Sequence, residues 1–180
     1  MAFHDELDPA LQKFIKDQKM FFTGTAGAEG KVNVSPKGMD TFRIIDPLHV
    51  IWLNLTGSGN ETAAHLLENG RITIMFNAFE GKPRILRLYG TGRSIHPYDS
   101  DWEDLINKFP EMPSARQIID IQIEMVQTSC GFGVPLYDYV GKRDHIDKWA
   151  DNKGSQGIRE YWKEKNQVSL DGKPTGILPE

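Results

Sequence analysis

Three short stretches of this chain gather residue types that hold anions. The first is Thr56-Gly-Ser-Gly-Asn-Glu-Thr62, which joins an apolar run to a helical one. The hydroxyls of Thr56, Ser58 and Thr62 and free backbone N–H groups would meet there, beside the positive end of a helix dipole. A phosphate binds well at such a place. An ordinary capping loop uses the same residues, because Ser58 or Asn60 would cap the helix in any case. No Gly-Lys-Ser/Thr follows, so this is not a Walker loop. The second stretch is Asn33-Val-Ser-Pro-Lys37-Gly38. Alternation puts Asn33 and Ser35 on one strand face, and Lys37 joins them if the strand runs past Pro36. A lysine and a hydroxyl converging there could hold an anion; a solvent-facing strand end has the same pattern, and Pro36 suits an edge or an end. The third is Lys82-Pro-Arg84-Ile85-Leu-Arg87-Leu-Tyr89, where Arg87 shares a face with Ile85 and Tyr89 in an otherwise apolar strand. A half-buried arginine calls for a partner, because an unpaired buried charge is very costly. That partner is either a carboxylate or a ligand phosphate.

No nucleophile, base and acid fall into one constellation, so no catalytic residue is identified. His49 at a strand start and His65 inside a helix read as structural, and His4, His96 and His145 are scattered. With Cys130 as the one cysteine, neither a zinc site nor an internal disulfide is expected. Cys130-Gly-Phe-Gly-Val-Pro135 reads as a break after a strand or as a ligand-lining turn. The net charge of −4, without a long Lys/Arg run, speaks against nucleic acid or an anionic membrane as the main partner. No apolar stretch has transmembrane length, and Met1 to Glu6 lacks the basic and apolar regions of a signal peptide. A protein of the reducing cytoplasm is the expectation.

The elements that must position these groups are readable in outline. Asp8 and Pro9 open a helix whose stripe is Leu11, Phe14 and Ile15. Met20 to Thr25 and Lys31 to Ser35 form a hairpin across a Gly-rich turn. His49 to Leu55 is a strand, Glu61 to Asn69 a short helix ending at Gly70, and Arg71 to Phe76 another strand. Ile85 to Ile95 is a long strand whose internal Gly90 and Gly92 suggest a bulge or sharp coiling. Asp99 to Phe109 has helical spacing through Trp102, Leu105, Ile106 and Phe109, and Ile118 to Val126 alternates cleanly. One or two helices follow, with Ile146, Trp149, Ala150, Ile158, Tyr161 and Trp162 as their apolar positions. Six or seven strands without regular helix alternation point to an antiparallel barrel with peripheral helices, not to a doubly wound parallel sheet. The 180 residues are expected to form one domain, with a helical tail from about residue 142 to 180.

In their order, these segments resemble the pyridoxamine 5′-phosphate oxidase-like family. The resemblance lies in Val-Ser-Pro-Lys-Gly, Leu-Thr-Gly-Ser-Gly-Asn-Glu-Thr-Ala, Glu-Asn-Gly-Arg-Ile-Thr-Ile-Met-Phe and Arg-Ile-Leu-Arg-Leu-Tyr-Gly, between about Met20 and Ile95. Cys-Gly-Phe-Gly-Val-Pro and Asn-Gln-Val-Ser-Leu-Asp-Gly-Lys-Pro resemble one uncharacterised branch of it. The resemblance implies a mainly β, antiparallel split barrel that binds FMN. It also implies a homodimer with two FMN sites at the subunit interface and a small-molecule substrate. Carried over by position, Lys37 matches a family lysine on the FMN phosphate, with Ser35 beside it. Leu55 and Thr56 match the strand end along the flavin. Asn60, Glu61 and Thr62 take the place of a phosphate clamp, and Ser58 of the loop before them is a further cofactor-binding candidate. Arg84 and Ile85, with Arg87 nearby, match the strand near the isoalloxazine and ribityl chain.

The chain also departs from that pattern. Asn60-Glu61-Thr62 has no cation, so Arg71 or Arg87 is expected to supply the charge. Val32 stands where the family has an arginine, and no match to the pyridoxal phosphate-binding end of the true oxidases follows Cys130. The expectation is therefore a flavin-dependent oxidoreductase other than the namesake enzyme. A barrel that holds flavin or haem without turnover is the alternative, with His49, His65 or His96 as the axial ligand.

Overall fold

The structure, a computed structural model, describes residues 1–179. Eight strands and four helices follow in the order β1 (Ala2–His4), α1 (Pro9–Asp17), β2 (Met20–Thr25), β3 (Asn33–Gly38), β4 (Phe42–Asp46), β5 (His49–Leu55), α2 (Glu61–Asn69), β6 (Arg71–Asn77), β7 (Ile85–Ile95), α3 (Trp102–Ile106), β8 (Ala115–Ser129) and α4 (His145–Lys165). Every pairing is antiparallel, and the sheet runs β3-β2-β6-β7-β8-β5-β4, with β1 on the far end of β8. No helix among the described residues is long and apolar enough to cross a membrane.

The connectivity dictates the curl. The two strands at the ends of this order, β3 and β4, are joined by residues 39–41 alone. So short a link holds their ends within about 14 Å of each other. The sheet therefore bends round until its edges nearly meet, yet no ladder joins β3 to β4. The result is a barrel with a split. Phe21, Phe42, Trp52 and Phe76 fill the interior beside the split in edge-on and tilted contacts of 5.1–6.0 Å. Leu11 and Ile15 of α1 close the same core, which continues through Ile74, Leu86, Leu88 and Ile121. A second cluster lies on the other face of β5 and β8, where Trp102 and Phe109 cover Ile51, Leu53, Ile95 and Ile118. The tail has its own small core of Ala150, Ile158, Trp162 and Ile177.

Two strands were not legible in advance. The first, β1, has only three residues, and β4 is half exposed with a register shift between Ile44 and Asp46. The strand expected from Lys31 to Ser35 instead runs from Asn33 to Gly38, straight through Pro36. It can do so because β3 is an edge strand. The helix expected over Asp99–Phe109 shrinks to Trp102–Ile106, although its apolar residues still share one cluster. The expected bulge lies between Tyr89 and Gly90, where a Cβ on Gly90 would stand 2.1 Å from the Gln122 carbonyl oxygen. The tail helix is broken at Gly154, giving two helical stretches.

Candidate functional site

The cleft lies at the Ala115 end of β8, where β3, β5, β8 and the start of α2 converge. It encloses about 320 Å³ and is lined by Asn33, Ser35 and Lys37 of β3, Asn54 and Leu55 of β5, the loop and helix start from Gly57 to Thr62, and Arg116 of β8. Alternation along β3 brings Asn33, Ser35 and Lys37 to one wall. The Ser35 hydroxyl donates to Asn33 Oδ1 at 3.1 Å, and Asn33 Nδ2 donates to Thr62 Oγ1 at 3.2 Å. These bonds tie the β3 wall to the first turn of α2.

Two cations face this space, and among the described residues neither has a carboxylate partner. Lys37 Nζ sits 4.9 Å from the ring centre of the buried Trp52. Burial, and secondarily the Arg116 charge, holds the Lys37 pKa down to about 8. Arg116 is 2% exposed, and burial lowers its pKa to about 10. Its Nη1 donates to the Gly59 carbonyl at 2.9 Å and to Asn166 Oδ1 at 3.0 Å, while Nε has no partner. A buried guanidinium with only neutral acceptors, beside a half-buried ammonium over a ring, is costly unless an anion joins them. The one carboxylate on the cleft, Glu61, is already engaged, since both its oxygens accept from the Leu170 N–H at 3.0 Å.

The start of α2 adds to this field. Its N-cap, Asn60, makes no side-chain cap bond, because Asn60 and Gln117 are joined amide to amide at 3.0 and 3.3 Å. Helix N–H groups are thus left open beside two cations. Arg116 was missed in the sequence. The reasoning that singled out Arg87, a cation within an otherwise apolar strand, extends to Arg116 once the strand is taken back through Ser-Ala-Arg-Gln before Ile118. The clean alternation begins only at Ile118, and Arg116 lies outside it.

The other expected residues lie elsewhere. Thr56 is buried behind the cleft, donating to the Ser114 carbonyl at 2.9 Å and accepting from Trp162 Nε1 at 2.9 Å. Arg84, Ile85 and Arg87 lie near the opposite end of β8, where Ile85 pairs with Ser129 while Leu55 pairs with Ala115. There Arg84 covers the Phe14 ring at 5.5 Å, and Arg87 Nη1 reaches Ser129 Oγ at 3.4 Å. Within one chain they do not join the cleft. Nor does Arg71, whose long 3.5 Å contact is to the Gly27 carbonyl; the charge sought there comes from Arg116. The three histidines considered as axial ligands are also away from the cleft. His49 pairs with Asp120 at 2.5 Å, His65 bonds Thr25 at 3.0 Å, and His96 stacks on Tyr98.

The sequence was compared with known proteins. Residues 7–130 match the family profile described as pyridoxamine 5′-phosphate oxidase. The chain belongs to this family. A curated relative, the pyridoxamine 5′-phosphate oxidase family protein ustO of Aspergillus flavus, is 36% identical over 190 residues, covering 96% of this chain and 76% of its own. A provisionally named pyridoxamine 5′-phosphate oxidase of Lactobacillus delbrueckii shares the fold at a TM-score of 0.56 and 21% identity, covering 71% of this chain and 99% of its own. HupZ of Group A Streptococcus does so at 0.52 and 19%, covering 68% and 94%. The curled antiparallel sheet is thus the split barrel of the pyridoxamine 5′-phosphate oxidase-like proteins. The family match contains every cleft-lining residue and stops before Trp162, Asn166 and Leu170, which touch the site from behind.

Proposed function

We propose that this chain binds FMN, with the phosphate in the Lys37–Arg116 cleft, and acts as a flavin-dependent oxidoreductase on a small organic substrate. The observation that supports it is the buried Arg116 and half-buried Lys37 without a carboxylate, beside an uncapped helix start. The residues fit the phosphate end of the cofactor. Lys37 and Arg116 supply charge, Ser35 and Ser58 supply hydroxyls, and the open N–H groups around Asn60, Glu61 and Thr62 complete the donor set. Leu55, with Thr56 behind it, supplies the strand end along which the rest of the molecule would lie. Arg84, Ile85 and Arg87 serve the same ligand from a second copy, in a homodimer. The flavin, when bound, supplies the hydride chemistry; the protein binds, orients and shields it.

The namesake oxidase reaction is not part of this reading, because Val32 and the tail depart from that enzyme's pattern. Haem fits less well, as the cleft is lined by no His, Cys, Met or Tyr. A cytoplasmic setting suits the single exposed Cys130.

The test is the visible spectrum of the purified protein, before and after adding FMN and then an anaerobic reductant. Flavin bands that quench on binding and bleach on reduction are expected. A protein that rejects FMN, or shows a Soret band, overturns the reading. Light scattering at micromolar concentration should give the mass of two chains.

A further inference from the structure

The tail beyond residue 130 lies outside the matched family segment, yet it packs directly behind the anion cleft. Its centre is Asn166, which is fully buried. Asn166 Nδ2 donates to the carbonyls of Gly57 at 3.0 Å and Ser58 at 3.4 Å. Asn166 Oδ1 accepts from Arg116 Nη1 at 3.0 Å. The residue is itself anchored, since its N–H donates to the Trp162 carbonyl at 2.9 Å and its carbonyl accepts from the Thr175 hydroxyl at 2.5 Å. Trp162 adds its bond to Thr56, and the Leu170 N–H holds the Glu61 carboxylate.

These contacts have a directional consequence. A trans peptide points its C=O and the next N–H in opposite directions, and the described residues contain no cis bond. The carbonyls of Gly57 and Ser58 are drawn to Asn166, and that of Gly59 to Arg116. The N–H groups of Ser58, Gly59 and Asn60 must then turn away from those partners, and no protein acceptor is recorded for them. Meanwhile the one carboxylate that could repel an anion is drawn to Leu170.

We propose that Asn166 is the positioning residue of the phosphate site: by holding two loop carbonyls and the Arg116 guanidinium from behind, it turns the Ser58 and Gly59 N–H groups and Arg116 onto the anion. It touches no ligand itself. The inference rests on the FMN reading of the cleft, and it assigns a ligand-binding role to the segment outside the family match.

The test compares FMN with riboflavin, which differ only in the phosphate, by flavin fluorescence titration. Asn166→Leu removes the donor and both loop contacts. FMN affinity should fall about 10- to 100-fold, as when a supporting residue behind a ligand-binding group is lost, while riboflavin affinity stays within threefold. Asn166→Asp keeps the size and the acceptor for Arg116 but loses the donor, and it should show the same selective loss. It covers the case in which the leucine variant does not fold, with thermal unfolding run on both. Lys37→Ala serves as the control for the cleft. If Lys37→Ala costs FMN affinity selectively and the Asn166 variants do not, the positioning role is overturned and the FMN reading stands. If the Asn166 variants lose FMN and riboflavin equally, Asn166 supports only the fold and the inference falls. If Lys37→Ala changes neither flavin, or wild type binds neither, the reading of the cleft fails and takes the inference with it.

Discussion

The two ends of β8 carry similar residues in opposite condition. At the Ala115 end, two cations, a helix start and a Gly-rich loop converge on one cleft, and the tail fastens the loop from outside. At the Ser129 end, Arg84 and Arg87 make only loose contacts, over a ring and to a hydroxyl at 3.4 Å. The chain beyond it, residues 130–144, has no regular structure and exposes Phe132, Leu136, Tyr137, Tyr139 and Val140, the last completely. Contiguous exposed apolar groups mark a contact surface. The contrast teaches that one chain completes a cation-lined cleft at one end of the strand and leaves the other end without a facing wall. Under the FMN reading, the first end holds the phosphate and the second offers the ring side of its partner's site.

The largest effect should come from emptying the first end of charge. The double variant Lys37→Met, Arg116→Met should weaken FMN binding by about 100-fold or more, since hydrogen bonds to charged groups contribute about 1.5–3 kcal/mol each. Riboflavin should be nearly unaffected, and calorimetric titration with both flavins separates the cases. Parallel losses would move the phosphate out of the cleft and dissolve the contrast between the ends.

A smaller, graded effect follows from the lowered Lys37 pKa of about 8. The preference for FMN over riboflavin should be greatest between about pH 6, where a phosphate ester gains its second charge, and pH 8. From pH 7 to 9 the charged fraction of Lys37 drops roughly tenfold, and the preference should follow. A preference flat to pH 10 would remove Lys37 from the phosphate. The same shift carries a stability consequence. An unfolded lysine binds its proton up to about pH 10.5, whereas this folded one releases it near pH 8, so the unfolded state holds more protons in between. The Lys37 contribution to stability of the flavin-free protein therefore rises with pH from about 8 to 10.5. Denaturant titrations at several pH values should show this rise in wild type and lose it in Lys37→Met.

The smallest effect belongs to the second end. Arg87→Ala should weaken FMN and riboflavin alike, by about tenfold or less, and the deficit should shrink at high protein concentration if it acts through the dimer. A loss confined to FMN would put Arg87 beside the phosphate and reverse the assignment of the ends.

Much of the fold and most of the cleft were legible in the sequence, and the reasons are local. Asn33, Ser35 and Lys37 show their common face through alternation, and Thr56–Thr62 shows itself through turn chemistry before a helix. Gly90 marked a bulge that the structure contains. Arg116 was hidden because a strand boundary three residues off excluded it. The short β4 was hidden because its adjacent Ile44 and Ile45 break the alternation. Nothing local could reveal the tail's role: Asn166 meets Gly57 109 residues away, and Trp162 meets Thr56 106 residues away. Such contacts depend on where the barrel puts the loop, which no window of sequence contains.

The long reach of Asn166 also sets a clock on biosynthesis. The Gly57–Asn60 loop leaves the ribosome 109 residues before the side chain that ties it down. At about 5–20 residues per second, that is an interval of about 5–20 s. Under the positioning role assigned to Asn166, a nascent chain carries both cations from residue 116 onward but not the aligned loop until Asn166 follows. Cofactor loading would then be a late event in the life of each molecule. Translation halted between Ser129 and residue 166 would yield the eight strands with a weakened grip on the phosphate, so tight retention of flavin would report that synthesis had passed that point.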